Sequence, residues 1–562
     1  MTVAHSNRHA PHPFAPGRRL RRRALKPSPY GRGVALLLLL LLGGCITHPG
    51  MAHHVRFAAD ARPVLATTHS GTLRGVQGNG VQAFLGVPYA APPTGDHRWR
   101  APRPADPWTG IRDAQRIGAD CTQALGREAV LGGGGGIVVG VEDCLFVNVY
   151  APAEASAQSL NKPRPVMVYL HGGAFTIGAG ANYDPSRLAR EQGRVVVTVN
   201  FRLGALGWLA HPGFEDGPGG NYGLMDQQAA LRWVQANIAA FGGDPGDVTL
   251  FSESSGAWSA CYLMAAPSSQ GLHSRVILQS GPCLEPSSLN AVADQLEPGR
   301  LFAERLGCTG ENAVACLRRL PARTLARAAS TRSGINGPGS WGPVYGDALV
   351  PISPAEAFAT GRFVRTPVIV GTNLDEGRLF AVEVRDMDRY ADETLWLYGE
   401  AGPRVLDRYP VGPEGPAVAI AQSFTDSRFA CPSDALRRVL SKWVPTYGYE
   451  FADRRAPIRL PSWITGLDMG AYHASEATYV FGTSWLFADT GAWTADQRAL
   501  SERMMALWAG FGRDGFEADW PRVVTGGDPV KVFDPAGDRM DETFFSRHQC
   551  EFWGGTALGA PV

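Results

Sequence analysis

The segment around Ser254 constrains the fold of this chain more than any other stretch of its sequence. A β-branched and apolar run, Val248 to Phe251, predicts a buried strand, and a helical pattern follows from Ala257 to Met264. Only small and polar residues, Ser-Glu-Ser-Ser-Gly, separate the two, so the chain must pass from strand to helix through a sharp turn. A strand, a sharp turn and a helix with one hydroxyl at the corner form the pattern of a nucleophile elbow. Ser254 occupies that corner and is the candidate nucleophile.

This motif departs from the usual Gly-x-Ser-x-Gly, because Ser252 stands at the first glycine position. That position must be small, since the helix packs close behind the strand, and serine adds only a hydroxymethyl group. The motif alone is also compatible with an ordinary turn in a chain that has 68 glycines. The rest of the sequence must decide between these two interpretations.

Strand-like and helical patterns alternate along the chain. The clearest helical pattern extends from Met225 to Phe241, and Gly242-Gly243 ends it. This alternation predicts an α/β fold with a mostly parallel sheet covered by helices on both faces. Ligands bind such sheets at the carboxyl ends of the strands, which is where Ser254 lies. Six segments have the pattern of buried strands: Val166–Leu170, Val195–Asn200, Val248–Phe251, Val276–Leu278, Val368–Val370 and Tyr447–Phe451.

Residues 1–45 have the features of an export signal. Eight Arg or Lys residues and no acid precede Cys45, and a short run with seven consecutive leucines ends in Leu42-Gly-Gly-Cys45. The run is too short to span a bilayer, and its end resembles a bacterial lipobox in which Cys45 would be lipidated. An ordinary secretory signal is the alternative. We expect a periplasmic or extracellular protein, with residues 46–562 as a single domain and Cys45 as the point of membrane attachment.

Charge and cysteine content limit the classes of function. The whole chain has a net charge of +1, and removal of the eight basic residues of segment 1–44 leaves −7. A mildly acidic domain without a basic stripe gives no electrostatic basis for nucleic-acid binding. No zinc-type spacing of Cys and His occurs, so we expect neither a metal nor another cofactor. Eight cysteines remain after Cys45, and export permits disulfides whose pairing the spacing leaves open.

Short motifs follow one another in a fixed order along the mature chain. They are Phe84–Ala90, Pro92–Gly95, Glu142–Tyr150, His171–Phe175, Asn200–Gly204, Asn221–Gln227, Phe241–Pro245, Gln279–Gly281, Asp375–Gly377, His473 with Glu476 and Phe481-Gly482, and Trp520-Pro521. This series resembles the type-B carboxylesterase/lipase family of α/β-hydrolases, which includes the cholinesterases. The resemblance implies the α/β-hydrolase fold and a serine carboxylic-ester hydrolase that acts on small-molecule esters through a covalent acyl-serine.

The resemblance assigns Ser254 as the nucleophile, His473 as its base and Glu376 as the acid that orients the imidazole. Serine, acid and histidine then occur in the α/β-hydrolase order. Asp375 competes for the acid role, but adjacent side chains should point differently, and the resemblance selects Glu376. Ala474 stands where the family commonly has glycine. Because the base must be neutral to accept a proton, activity should rise with pH through the imidazole range.

The resemblance also places an oxyanion site at the backbone N–H groups of Gly173, Ala174 and Ser255. Glu253 and Ser280 match positions that support the histidine or organise water, with a purely structural role as the alternative. The implied disulfides are Cys121–Cys144, Cys308–Cys316 and Cys431–Cys550. For Cys261 and Cys283, which flank the elbow region, pairing and free thiols both remain open.

Three rival functions are weighed against this one. A cholinesterase would carry a Trp in the loop after the first of the paired cysteines, but residues 122–143 contain no Trp, Tyr or Phe. A non-catalytic binding protein of the same fold is disfavoured because all three candidate catalytic positions are filled. A special-purpose esterase or lipase that acts on a natural-product ester or a carbamate is compatible with every residue named above.

Overall fold

The computed structural model describes residues 61–125, 136–153, 162–284, 290–329, 341–459, 465–485, 487–513, 516–524 and 529–554. The predicted export signal, residues 1–45 with Cys45, lies outside these ranges. Within them, no helix is long and apolar enough to cross a membrane.

A large mixed sheet forms the centre of the fold. The strands are β1 Arg62–Thr68, β2 Gly71–Gly78, β3 Val81–Pro88, β4 Ile111–Asp113, β5 Gln123–Leu125, β6 Ile137–Val139, β7 Phe146–Pro152, β8 Arg164–Leu170, β9 Val195–Val199, β10 Gly243–Glu253, β11 Arg275–Gln279, β12 Val368–Asn373, β13 Thr446–Phe451, β14 Val530–Phe533 and β15 Arg539–Asp541. Thirteen of them form the large sheet in the order β1-β2-β3-β7-β9-β8-β10-β11-β12-β13-β14-β15, with β4 paired to β2, whereas β5 and β6 form a separate two-stranded antiparallel sheet. Every pairing from β9 to β14 is parallel. The predicted parallel sheet is therefore confirmed in its central part, with antiparallel strands at both edges.

Each of the six predicted strands overlaps one of β8 to β13. Strand β9 ends at Val199, one residue before its predicted end, and β10 begins at Gly243, five residues before its predicted start. Adjacent residues of one strand enter different cores, because side chains alternate across a sheet. In β11, Val276 and Leu278 belong to the hydrophobic core on one face, and Ile277 belongs to the core on the other. Apolar cover on both faces explains why these strands are continuous hydrophobic runs.

Helices cover both faces of the sheet. The α-helices are Ser186–Gln192, Gly204–Trp208, Tyr222–Asn237, Ser255–Ala265, Val292–Arg305, Ala313–Arg319, Ala322–Ala329, Pro354–Thr360, Met387–Tyr398, Gly402–Arg408, Pro416–Thr425, Cys431–Leu440, Ala477–Phe481, Ala495–Gly510, Phe516–Asp519, Phe544–Arg547 and Cys550–Gly554. A π-helix, Asp426–Ala430, joins two of them. The predicted helix from Met225 begins earlier, at Tyr222, and its last turn is a 3-10 helix, Ile238–Phe241, that ends at Gly242 with φ 78°. The left-handed conformation favours glycine, which is why the helix stops there.

Four disulfides tie the described loops and helices together. Three are the pairs that the resemblance implies, Cys121–Cys144, Cys308–Cys316 and Cys431–Cys550, and the fourth joins Cys261 to Cys283. A disulfide of this kind typically stabilises a fold by about 2–4 kcal/mol. Cys261 lies in the helix that follows Ser254, so the fourth disulfide attaches that helix to the loop after β11.

Candidate active site

The carboxyl ends of four neighbouring strands meet at one edge of the sheet. Strands β8, β10, β11 and β12 are adjacent and parallel. They lead directly into His171, Ser254, Ser280 and the loop that holds Glu376. His473 comes from the chain after β13. The fold therefore collects residues that lie far apart in sequence at the edge where α/β proteins bind ligands.

Ser254 sits in a strained turn between β10 and the helix Ser255–Ala265. Its φ of 54° and ψ of −127° lie outside the regions that a residue with a side chain prefers. The turn is fixed by the hydrogen bond from the Ser254 N–H to the Gln279 carbonyl, 2.8 Å. Gly256 permits it, since a Cβ there would lie 2.2 Å from the Leu170 carbonyl oxygen.

The structure explains the serine at the first motif position. Ser252 is fully buried, and its hydroxyl donates a 3.2 Å hydrogen bond to the Ile277 carbonyl on β11. Its polar atom is therefore paired, and the small side chain fits behind the turn without displacing the helix. The departure from Gly-x-Ser-x-Gly is compatible with the elbow geometry.

His473 lies between Ser254 and Glu376. Its Nε2 is 2.9 Å from the Ser254 Oγ, and its Nδ1 is 2.6 Å from Glu376 Oε2. Glu376 is fully buried, and its other oxygen accepts hydrogen bonds from the Thr372 hydroxyl at 2.8 Å and the Asn373 N–H at 2.7 Å. The three candidate residues form one continuous hydrogen-bonded chain.

Asp375 points away from this chain. Its carboxylate accepts a 3.0 Å hydrogen bond from the Ala471 N–H and lies 3.2 Å from the guanidinium groups of both Arg378 and Arg454. Of the two adjacent acids, only Glu376 contacts His473 in this structure. The side chain of Asp375 instead ties the loop before His473 to the loop after β12.

Ala474 has a left-handed backbone. Its φ is 67°, a conformation that glycine adopts without strain and that alanine adopts at a cost of about 1–2 kcal/mol. This explains why glycine suits the position that follows His473.

Three buried carboxylates, those of Glu376, Glu253 and Glu476, act on the charge of the His473 imidazole. Glu253 Oε1 lies 3.2 Å from His473 Nε2. Glu476 accepts hydrogen bonds from Gln279 at 3.1 Å and from Asn373 at 2.6 Å. Burial disfavours charge on His473, but Glu376 and then Glu253 outweigh it and raise the pKa of the imidazole to about 9. Burial has the opposite effect on an acid: it raises the pKa of Glu253 to about 8, although the positive charge of His473 acts to lower it.

Sequence reasoning singled out Glu253 but gave no role to Glu476, although it appears in the motif that contains His473. It also missed Phe380 and Phe429, whose ring centroids lie 5.2 and 4.9 Å from that of His473. No local pattern marks either aromatic residue. Ser280, by contrast, has no hydrogen-bond partner for its hydroxyl within the described ranges, and its N–H donates to the Gly371 carbonyl.

The loop after β8 lies against Ser254. A Cβ on Gly172 would be 2.3 Å from Glu253 Oε2 and 2.8 Å from the Ser254 Cβ. Gly173 and Ala174 follow with φ of 112° and 51°. Among the described residues, neither their N–H groups nor that of Ser255 has a hydrogen-bond acceptor. Three backbone donors near the elbow are therefore available to a ligand.

His171 is not a second base. Its ring stacks on Phe201 at 4.3 Å, and its Nδ1 donates to the Gly172 carbonyl at 2.7 Å. Burial lowers the pKa of His171 to about 4, so the ring is neutral and serves to shape the loop. In the part of the chain that the structure describes, no group of His, Cys, Asp and Glu side chains is arranged to hold a metal ion.

Known proteins are similar to this chain in sequence and in architecture. The sequence profile of the carboxylesterase family matches residues 62–401 and 410–553. A fumonisin B1 esterase of Sphingopyxis macrogoltabida is 34% identical over 494 residues, 84% of this chain and 86% of that protein. A cocaine esterase of Oryctolagus cuniculus is 34% identical over 487 residues, 81% of this chain and 88% of that protein.

A further bacterial relative and two solved structures are similar to this chain in sequence and fold. A para-nitrobenzyl esterase of Bacillus subtilis (strain 168) is 33% identical over 487 residues, 81% of this chain and 92% of that protein. A solved structure of a PNB esterase superposes with a TM-score of 0.72 at 31% identity, over 86% of this chain and 99% of that chain. A thermophilic PNB esterase gives a TM-score of 0.72 at 30% identity over the same shares. The fold is that of the α/β-hydrolases, the activity is that of a serine carboxylic-ester hydrolase, and the chain belongs to the carboxylesterase family.

Proposed function

We propose that Ser254, His473 and Glu376 carry out the hydrolysis of a small-molecule ester. The observation that supports this most is the unbroken chain of hydrogen bonds from the Ser254 hydroxyl through both imidazole nitrogens to Glu376. Neutral His473 takes the proton of Ser254 as Oγ attacks the ester carbonyl carbon. It then gives that proton to the departing alkoxide, which leaves an acyl-Ser254.

The second half of the reaction uses the same residues. His473 removes a proton from water, which attacks the acyl carbon, and returns it to Ser254 as the carboxylic acid leaves. Glu376 keeps the imidazole oriented throughout and stabilises its charged form. The two hydrogen bonds that hold Glu376 in place keep its other oxygen directed at Nδ1.

The N–H groups of Gly173, Ala174 and Ser255 stabilise the negative oxygen of each tetrahedral intermediate. Their lack of internal acceptors and their place beside Ser254 support this role. Removal of one such donor typically lowers the rate by about 10²–10³. Only backbone atoms are needed, which is why serine at position 255 and alanine at position 174 are compatible with the role.

The protein is exported and attached to a membrane through a lipidated Cys45. Four disulfides support an oxidising location. Phase partition in a detergent should place the wild-type protein in the detergent phase and Cys45→Ala in the aqueous phase. If both stay aqueous, export without lipidation is the better description.

The assay of catalysis compares wild type, Ser254→Ala and Ser255→Ala on p-nitrophenyl acetate, butyrate and octanoate. Ser254→Ala should lose turnover, whereas Ser255→Ala, which keeps its N–H, should retain it. An organophosphate should label wild type once per chain, at Ser254. Full turnover by Ser254→Ala would refute the assignment of the nucleophile.

A further inference from the structure

We propose that His548, close to the C-terminus, is a positioning residue for the reaction. It holds Asp426, the first residue of the π-helix, and so keeps Phe429 against the ring of His473. The proposal rests on the function proposed above, since it concerns the histidine assigned there as the base. It assigns a role to a network that lies outside the site described so far.

His548 bridges two buried carboxylates. Its Nδ1 lies 2.5 Å from Asp426 Oδ1, and its Nε2 lies 2.7 Å from Glu450 Oε1. All three side chains are buried, and the two acids raise the pKa of His548 to about 9, so near neutral pH both ring nitrogens carry a proton and donate to the carboxylates. The bridging group is therefore an imidazolium, and its charge compensates the two acids.

The charge of Asp426 is balanced mainly by His548, whereas Glu450 has a second charged partner. Glu450 also receives two hydrogen bonds from Arg547, at 3.1 and 2.8 Å, and Arg547 pairs with Asp541 as well. The other oxygen of Asp426 accepts a 2.8 Å hydrogen bond from the Tyr409 hydroxyl, a neutral donor. Loss of the imidazolium would leave the buried Asp426 carboxylate without an ion pair. An unpaired buried carboxylate is strongly destabilised, so Asp426 would take up a proton or move toward water, and either change loosens its hold on the π-helix.

His548 and Cys550 attach the C-terminal segment to the two ends of the π-helix. His548 holds Asp426 at its start, and the disulfide from Cys550 holds Cys431 immediately after its end. The four residues between Asp426 and Cys431 can shift little while both attachments are intact. π-helices are rare and frequently lie at functional sites.

Phe429 carries this restraint to the catalytic ring. Its ring centroid is 4.9 Å from that of His473, and it stacks on Phe380 at 6.1 Å. Phe380 in turn contacts His473 at 5.2 Å and ends the 3-10 helix that begins with Glu376. The two phenyl rings thus pack against the imidazole and restrict its position relative to Ser254.

A double-mutant cycle tests this connection. His548→Gln and Phe429→Leu should each lower kcat on p-nitrophenyl butyrate about 10-fold, because small displacements of a catalytic group cost rate steeply. The double variant should be no slower than the slower single variant, since both changes remove the same restraint. Arg547→Gln is the matched control. Arg547 hydrogen-bonds Glu450 and Asp541 and lies 3.1 Å from His548 Nε2, whereas Asp426 is held by the other nitrogen, Nδ1. This change therefore disturbs the same network without releasing Asp426, so kcat should stay within about 2-fold of wild type while Tm falls.

Three results would overturn the proposal: an unchanged kcat in folded His548→Gln, losses that multiply in the double variant, or an equal loss in Arg547→Gln. If His548→Gln does not fold, Tyr409→Phe weakens the hold on Asp426 by one hydrogen bond, and the same non-additive pattern with Phe429→Leu is expected. Ser254→Ala separates the two proposals. If it is inactive and the cycle is additive, the catalytic assignment stands and the positioning role of His548 fails.

Discussion

Glu253 should control the pH at which the enzyme becomes active. The change is Glu253→Gln, which keeps the shape of the side chain and removes its charge. Glu253 Oε1 lies 3.2 Å from His473 Nε2, and both groups are buried. At an effective dielectric constant of about 20, two opposite charges at this distance attract by roughly 5 kcal/mol. Burial of the Glu253 carboxylate opposes much of this attraction and raises its own pKa to about 8.

The sign of the effect follows from the proton that His473 must accept. In the proposed mechanism activity requires the neutral imidazole, and burial, Glu376 and Glu253 together set the pKa of His473 at about 9. Wild-type kcat/KM should therefore rise toward pH 9, above the ordinary histidine value of 6.5. Glu253→Gln removes one of the two main carboxylates, so the midpoint should move at least about one pH unit toward acid, equivalent to about 1.4 kcal/mol.

The assay is kcat/KM for p-nitrophenyl butyrate at constant ionic strength between about pH 6 and 10, with spontaneous hydrolysis subtracted. The plateau should fall in the variant, because a charge that stabilises the imidazolium is gone. Glu476→Gln is the control: Glu476 acts on His473 more weakly than Glu376 or Glu253 does, so its shift should have the same sign and be smaller. A midpoint that stays in place or moves to higher pH in Glu253→Gln would refute the reasoning.

Three further predictions concern the acid, the backbone and the C-terminal network. Glu376→Gln should lower kcat by about 10⁴, as expected when the imidazole loses its orienting acid, and Asp375→Asn should leave kcat nearly unchanged; equal losses in steady-state assays would reject the choice between them. Ala474→Gly should raise the free energy of unfolding in urea by up to about 1 kcal/mol, because the left-handed strain is relieved while glycine gains entropy when unfolded; a clear loss of stability would contradict this. The pKa of His548 is raised to about 9 by Asp426 and Glu450 despite burial, so its contribution is complete below the unfolded value near 6.5 and is lost as pH rises through 9. Urea unfolding should thus show a drop of up to about 3 kcal/mol between pH 7 and 10 that His548→Gln lacks, and an identical pH dependence in the variant would count against the linkage.

Local patterns were sufficient for the elements that form the frame of the site. The run from Val248 to Phe251 had to be a strand because its side chains are apolar on both faces, and both faces of β10 are in fact covered. Position 256 had to be glycine, because the helix begins within a few ångströms of β8. Gly242 ended the preceding helix through its left-handed backbone. Each of these choices depends on near neighbours in the sequence.

The partners of the proposed catalytic groups were decided by the tertiary structure. Ser254 and His473 are 219 residues apart, and Glu376 and His473 are 97 apart, so only the order of the strands brings them together. From the residues alone Asp375 and Glu376 were equivalent, and the resemblance selected one; the structure turns one toward His473 and the other toward Ala471 and Arg454.

The same limit applies to the parts that no motif marked. Pairing of Cys261 with Cys283, the position of Phe429 beside His473 and the bridge that His548 forms between two acids all depend on packing between distant elements. A charge or a ring in the sequence indicates what a residue can do. Which residue it acts upon is set by the side chains that the fold packs around it, because hydrogen bonds and ion pairs act over a few ångströms and not along the chain.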